Sequence, residues 1–467
     1  MSDSPESGSG GMSRRRFVGT AGATLLTTAS LAGCSGGGDG GDGGGGGGGG
    51  DGGDGGDGGG DGGDGGSGGP TTSQTSTEPV TLGVVDAQSG NAALGGTPKV
   101  QASELAVQEI NDEGGILGRE VELLTPDPQS DIPTFQQHAR RLINQDDVDA
   151  LWAGIRSSVR EAVRPIVDQN EQLYFYTTQY EGGVCDSYTF PMGATARQQL
   201  VPVMQQLVDE FGPNVYTIAA DYNFGQLSAD WIKILADNMD ATVIGEEFVP
   251  LSQTQFGSSI SRIQEADPDV IMSILVGQNH ASFYNQRASA GLDIPIGTST
   301  SMALTYEHLR LDPPALEGVN VGTNYMEELP TDRNQEFVDR YYEMFPDARY
   351  LNQSGHNNYF STHLYKQAAE KAGTVEQPEV IAALEEGMEI AAPEGDISLH
   401  GPTHHMSHNM RVARADENHE ITFLDPPGDA GNLVEPSFLQ DVGCNLVEED
   451  ETTQYVPSDL DGVPDDL

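Results

Sequence analysis

Four histidines crowd one stretch of the 467-residue chain: His400, His404, His405 and His408. Imidazoles in such number could hold a transition metal. Several imidazoles on one loop, with no carboxylate or cysteine nearby at ligand spacing, are loose evidence for such a site, and no metal is expected. Cys185, four residues past Glu181, invites a thiol-amidase reading. An activated thiolate needs a cationic neighbour or a base, and neither is evident beside it. Residues 80–425 carry no G-x-S-x-G elbow, no H-E-x-x-H and no G-x-x-x-x-G-K-[ST] loop. No catalytic residue and no cofactor is assigned.

A gentler chemistry recurs where apolar runs end. Ser157 follows "DALWAGI"; Tyr176 and Thr178 close "YFYTT"; Asp221 and Tyr222 follow "YTIAA"; Gly277 and Gln278 follow "MSILV". Hydroxyls, phenols and amides suit hydrogen bonding to a small polar molecule better than bond breaking. Side chains alternate along a strand, so Phe175 belongs to the core and Tyr176 to a pocket. Asp221 either contacts ligand or orients a helix N-terminus. Glu181 is read as structural.

The elements that must position these residues alternate. Val80–Asp86 is a short apolar strand, and Ala102, Leu105, Ala106 and Ile110 then form one face of a helix stopped by Gly114 and Gly115. "REVELLTPD" reads as the next strand, and Phe135, Ala139, Leu142 and Ile143 as the next helical stripe. The buried runs after it are spaced by helices in the same way. That pattern implies parallel sheets in βαβ units, with ligand beyond the carboxyl ends of the strands.

Composition narrows the class. Asp and Glu number 72 against 22 Lys and Arg, a formal charge of -50. Such a chain repels nucleic acid, so none is expected as a partner. The even spread of acid reads as adaptation to high salt, where at ~1 M the Debye length is only ~3 Å. Ser13-Arg14-Arg15-Arg16-Phe17 and the apolar run to Gly33 have the pattern of a twin-arginine export signal. Residues 35–78 are Gly, Asp, Ser and Thr with almost nothing apolar, the composition of a disordered tether. Outside the cytoplasm Cys185 and Cys444 are either a disulfide or two buried thiols.

"LAGC" resembles the lipobox of bacterial and archaeal lipoproteins, which implies a lipid anchor on Cys34. "GGILGREVELLTPDPQSD" resembles a segment of type I periplasmic solute-binding proteins, the group that includes branched-chain amino acid binders. "YTTQYEGGVCDSYTFPMGATARQQLVPVMQQL", "AADYNFGQ" and "APEGDISLHGPTHHMSHNMRVA" resemble its amide and urea branch, receptors of ABC importers. The resemblance implies an α/β fold of two Rossmann-like lobes with a hinge and an interlobe cleft, and as partners a small solute, a permease and its ATPase. It implies crossings near Gly193–Arg197, Thr323–Met326 and Glu389–Pro393. The first lobe would then span 79–195 and 326–390 and the second 196–325 and 391–425, with an acidic tail over 426–467. It places Ser157, Tyr176, Thr178, Tyr222, Gly277 and Gln278 in the pocket. Ile155 and His356 stand where that branch carries an aromatic residue and a glutamate, so His356 joins the candidate ligand contacts. A short amide or urea is the expected ligand, with a branched-chain amino acid as the alternative. A sensing receptor and a cysteine amidase are the rival functions.

Overall fold

The computed structural model describes residues 78–425 and 431–460. The segment read as an export signal, Cys34 and nearly all of the segment read as a tether lie outside them. No helix among the described residues is long and apolar enough to cross a membrane.

The first lobe is built on a five-stranded parallel sheet. Its order is Val121–Leu124, Val80–Val85, Ala150–Ala153, Tyr174–Tyr176, Thr189–Pro191. Period-two alternation divides its side chains between two layers. Trp152 and Phe175 stack at 4.7 Å on one face, under Phe360, Leu364 and Tyr365 of the helix Gln353–Ala372. Leu151, Tyr174 and Tyr176 take the other face, against the helices Ile132–Asn144 and Ser157–Asn170. Asp131 caps the former by accepting from the Thr134 amide at 3.1 Å, with Pro133 in its first turn, where a missing N–H costs nothing.

The second lobe has an eight-stranded sheet. Five strands, Asn214–Ala220, Thr242–Val249, Val270–Ile274, Ile296–Thr298 and Val319–Thr323, run parallel. His408–Ala415, Ile421–Asp425 and Asn432–Val434 extend it antiparallel. The helix Ala196–Phe211 begins with a capping box between Thr195 and Gln198. Its buried Gln199 donates to the carbonyls of Ser299 and Gly322 at 3.1 and 3.0 Å, fixing the helix on the sheet.

The chain leaves the first sheet after Pro191 and enters the second lobe at Ala196. It returns after Thr323, since Phe337 and Tyr341 pack on Ala102 and Leu105 of the first lobe. The third crossing departs from expectation. The antiparallel meander Met388–Ala392, Gly395–His400 and His405–Met406 buries Ile390, Ile397, Leu399 and Met406 in the first core. The crossing therefore lies between Met406 and His408 rather than at 389–393, because alternate residues of this meander complete the first lobe's apolar layer.

Residues 431–460 are likewise no free tail. Asn432–Val434 pairs with His408–Met410, and Thr452–Gln454 pairs with Val184–Asp186. Phe438 meets Trp231 of the second lobe edge-on at 4.9 Å, and Arg197 pairs with Asp441 at 2.9 Å. Cys185 and Cys444 form a disulfide inside a small apolar cluster with Leu439 and Leu446. The apolar residues Phe438, Leu439 and Leu446 anchor a segment whose composition reads as an acidic tail.

Candidate ligand-binding cleft

The strand Ala150–Ala153 ends at Gly154, and Arg156 then stands just before the helix that opens with Ser157, without a side-chain cap bond. Ser157 is buried and donates its hydroxyl proton to Oε2 of Glu181. Arg160, one turn further along, places Nη2 2.7 Å from Oε1 of the same carboxylate. Burial alone would push the Glu181 carboxyl up, but the Arg160 guanidinium and the hydrogen bonds from Arg160 and Ser157 outweigh it. The carboxyl is held below the usual glutamate range. Arg160 also lies over the rings of Tyr176 and Tyr180, at 5.1 and 4.6 Å.

Tyr176 ends its strand, and its buried phenol oxygen has no hydrogen-bond partner. Oε1 of Gln179 is in the same condition. Buried polar atoms are seldom left unpaired, so both mark places where a bound group could pair. Beneath them Thr178 donates to the Gly154 carbonyl at 3.3 Å, beside a buried ion pair between Lys99 and Asp86 at 2.8 Å. Burial pushes the Asp86 carboxyl up to about 6 against the pull of Lys99, and it pushes Lys99 down.

The second lobe contributes Tyr222, just before the helix Asn223–Asn238, and Gly277, just before Gln278–Ser289. Gly277 has φ +60° and ψ -125°, a backbone that L side chains rarely adopt, although a Cβ there would meet no atom within 4 Å. The glycine is required by torsion, not by space.

These strand ends enclose one cavity of about 760 Å³. Ser157, Tyr176, Thr178, Tyr222, Gly277 and Gln278 all line it, together with the apolar Leu94, Ile155, Phe224, Leu251, Val276 and Leu304. No aspartate or glutamate is among the lining residues. Two arginines are. Arg310 is paired with buried Glu307 at 3.0 Å, and Arg156 donates to Asn91 at 3.1 Å.

Two candidates are not in the cavity. Asp221 is exposed and accepts from Gln226 at 2.8 Å, which holds it at the surface near its helix N-terminus. His356 is buried in the helix Gln353–Ala372 on the face toward the lobe crossings. It stacks on Tyr325 at 4.2 Å, bonds to Asn357 at 3.0 Å and sits 4.0 Å from Glu394. Burial lowers its imidazole to about 4. It packs among Tyr325, Asn357 and Glu394 and is not among the residues that line the cleft.

The clustered histidines also scatter. His404 stacks on Phe190 at 3.8 Å, His405 pairs with Tyr180, His408 bonds to Glu394 at 2.9 Å and His400 to Thr403 at 2.9 Å. No group of three side chains able to hold a metal gathers among the described residues.

Sequence reasoning passed over Asn91 and Leu94, after the first strand, and Thr300, after Ile296–Thr298, all of which line the cleft. The rule that ligands sit beyond carboxyl ends of parallel strands would have found them.

Two α/β lobes joined by three crossings, with a cleft of mixed polar and apolar lining at their strand ends, have the architecture of a solute receptor. Residues 79–420 match the periplasmic binding protein family, and the chain belongs to it. It is 24% identical over 373 residues to Leu/Ile/Val-binding protein homolog 6 of Brucella suis, covering 75% of this chain and 93% of that protein. The leucine-, isoleucine-, valine-, threonine- and alanine-binding protein of Brucella ovis, in its closed conformation, superposes with a TM-score of 0.67 at 19% identity. That match covers 77% of this chain and all (100%) of that one. A solute-binding protein of an ABC transporter from Rhodopseudomonas palustris, in complex with 3,4-dihydroxybenzoic acid, gives 0.66 at 20% identity, over 76% and 98%.

Proposed function

We propose that this chain is the extracytoplasmic receptor of an ABC importer, exported by its twin-arginine signal and anchored through Cys34, that captures a short amide or urea. Ligand would bridge Ser157, Tyr176 and Thr178 of one lobe and Tyr222, Gly277 and Gln278 of the other, favouring the closed form by its higher affinity for it. The observation that carries this reading is a cleft rich in hydroxyls and amides and without a carboxylate. An amino acid needs an acid for its ammonium group, because a buried unpaired charge is very costly. A neutral amide needs only donors and acceptors, which the lining offers. Arg156 favours a second reading, a small carboxylate, in keeping with the benzoate-type ligand of the Rhodopseudomonas protein.

The test is a thermal shift of the purified protein in multimolar KCl with short amides, urea, matched carboxylates and branched-chain amino acids. A ligand at ~100 times its dissociation constant adds ~2.7 kcal/mol. An amide or urea is expected to raise the melting temperature and to be recovered unchanged. A shift with leucine or valine alone, or turnover of the amide, overturns the proposal.

A further inference from the structure

Resting on the amide reading above, the geometry points to Glu181 as the residue that sets which head group the cleft accepts: we infer that it turns Ser157 into a hydrogen-bond acceptor, selecting a primary carboxamide over the carboxylate of the same shape. Oε1 of Glu181 is already occupied by Arg160 at 2.7 Å and by Gln454, from the C-terminal segment, at 3.1 Å. Oε2 receives the Ser157 hydroxyl. A serine hydroxyl has one proton and two lone pairs. With the proton committed to a carboxylate, only lone pairs remain for the cleft. A ligand atom at Ser157 must therefore bring its own N–H.

A carboxamide satisfies this, with its N–H on Ser157 and its carbonyl toward the first two N–H groups of the helix Ser157–Asn170, which precede the intrahelical bonds of Val159 and Arg160 to the Arg156 carbonyl. A carboxylate oxygen in the same place would face lone pairs. Such a mismatch between polar groups is the kind that discriminates strongly, because it leaves buried groups unpaired. Glu181 does not touch the ligand; it is a positioning residue. Its backbone carbonyl accepts from Trp231 of the second lobe at 3.2 Å, which fixes the loop that carries it.

The experiment titrates the full chain with isosteric pairs (acetamide and acetate, propionamide and propionate, benzamide and benzoate) by calorimetry. The wild type is expected to prefer the amide of at least one pair by 100-fold or more. In Glu181→Gln the new amide can donate to Ser157, whose proton is then free to point at the ligand, so the preference should fall at least tenfold or invert. Ser157→Ala, which leaves the Glu181–Arg160 pair in place, covers the case in which Glu181→Gln does not fold. It should weaken the amide tenfold or more and the carboxylate less. Preference of the wild type for a carboxylate, or equal loss of both ligands in a folded variant, overturns the inference and leaves the receptor reading standing. Binding of amino acids with neither member of any pair overturns the amide reading as well.

Discussion

Reducing the bond between Cys185 and Cys444 is the sharpest perturbation of the fold. The two cysteines are 259 residues apart, and the loop they close includes the whole second sheet. In the chain-entropy account, a loop of that length removes enough freedom from the unfolded chain to stabilise the native state by about 5.6 kcal/mol. For roughly 380 folded residues, unfolding entropy at ~2.1 cal/mol/K per residue is about 0.8 kcal/mol/K, so the expected fall in melting temperature is about 7 °C. Differential scanning calorimetry of the oxidised and fully reduced wild type measures it directly. Cys185→Ala, Cys444→Ala and the double substitution should each show the same fall, since each removes the same bond. Coincident melts of oxidised and reduced protein would refute the reasoning. So would single substitutions whose losses add, because that is the behaviour of two independent packing residues.

Two further outcomes follow from buried groups. His356 is held neutral with an imidazole near 4, against about 6.5 when unfolded. The unfolded chain thus binds the extra proton between those values, and stability falls as pH drops through the window. By linkage the loss at pH 5 relative to pH 7 is about 2 kcal/mol from this residue. His356→Asn should flatten the pH 5–7 stability profile by that amount in denaturant titrations, and an unchanged slope would contradict the burial argument. Gly277→Ala should cost about 1–3 kcal/mol through its backbone torsion alone and weaken ligand binding, read by melting and by calorimetry; a variant as stable as wild type would show that the loop relaxes freely.

Much of this was legible in the residues. Periodicity marks the strands and helices of both lobes, and the rule of strand ends gathers Ser157, Tyr176, Thr178, Tyr222, Gly277 and Gln278, which line one cavity. Two kinds of information were not legible. Sequence position cannot tell which face of a buried helix His356 takes, since in a helix buried nearly all round hydrophobic periodicity is weak. Nor can it tell that Ile390 to Met406 complete the first core, because a three-stranded meander shows the same alternation whichever sheet it covers. Glu181 was assigned a structural part, and its bonds to Arg160 and Gln454 agree; its grip on Ser157 depends on a fold that brings together residues 24 apart.

The strand Thr452–Gln454 lies on the first lobe while Phe438, a short way before it, is lodged against the second. Beyond the three crossings of the main fold, the end of the chain thus acts as a short leash across the hinge. A leash limits amplitude without choosing a direction. The disulfide from Cys444 to Cys185 makes the first-lobe end of that leash covalent, so its slack is the short interval between residues 438 and 444, and lengthening that interval would loosen the tie while leaving every cleft-lining side chain as it is.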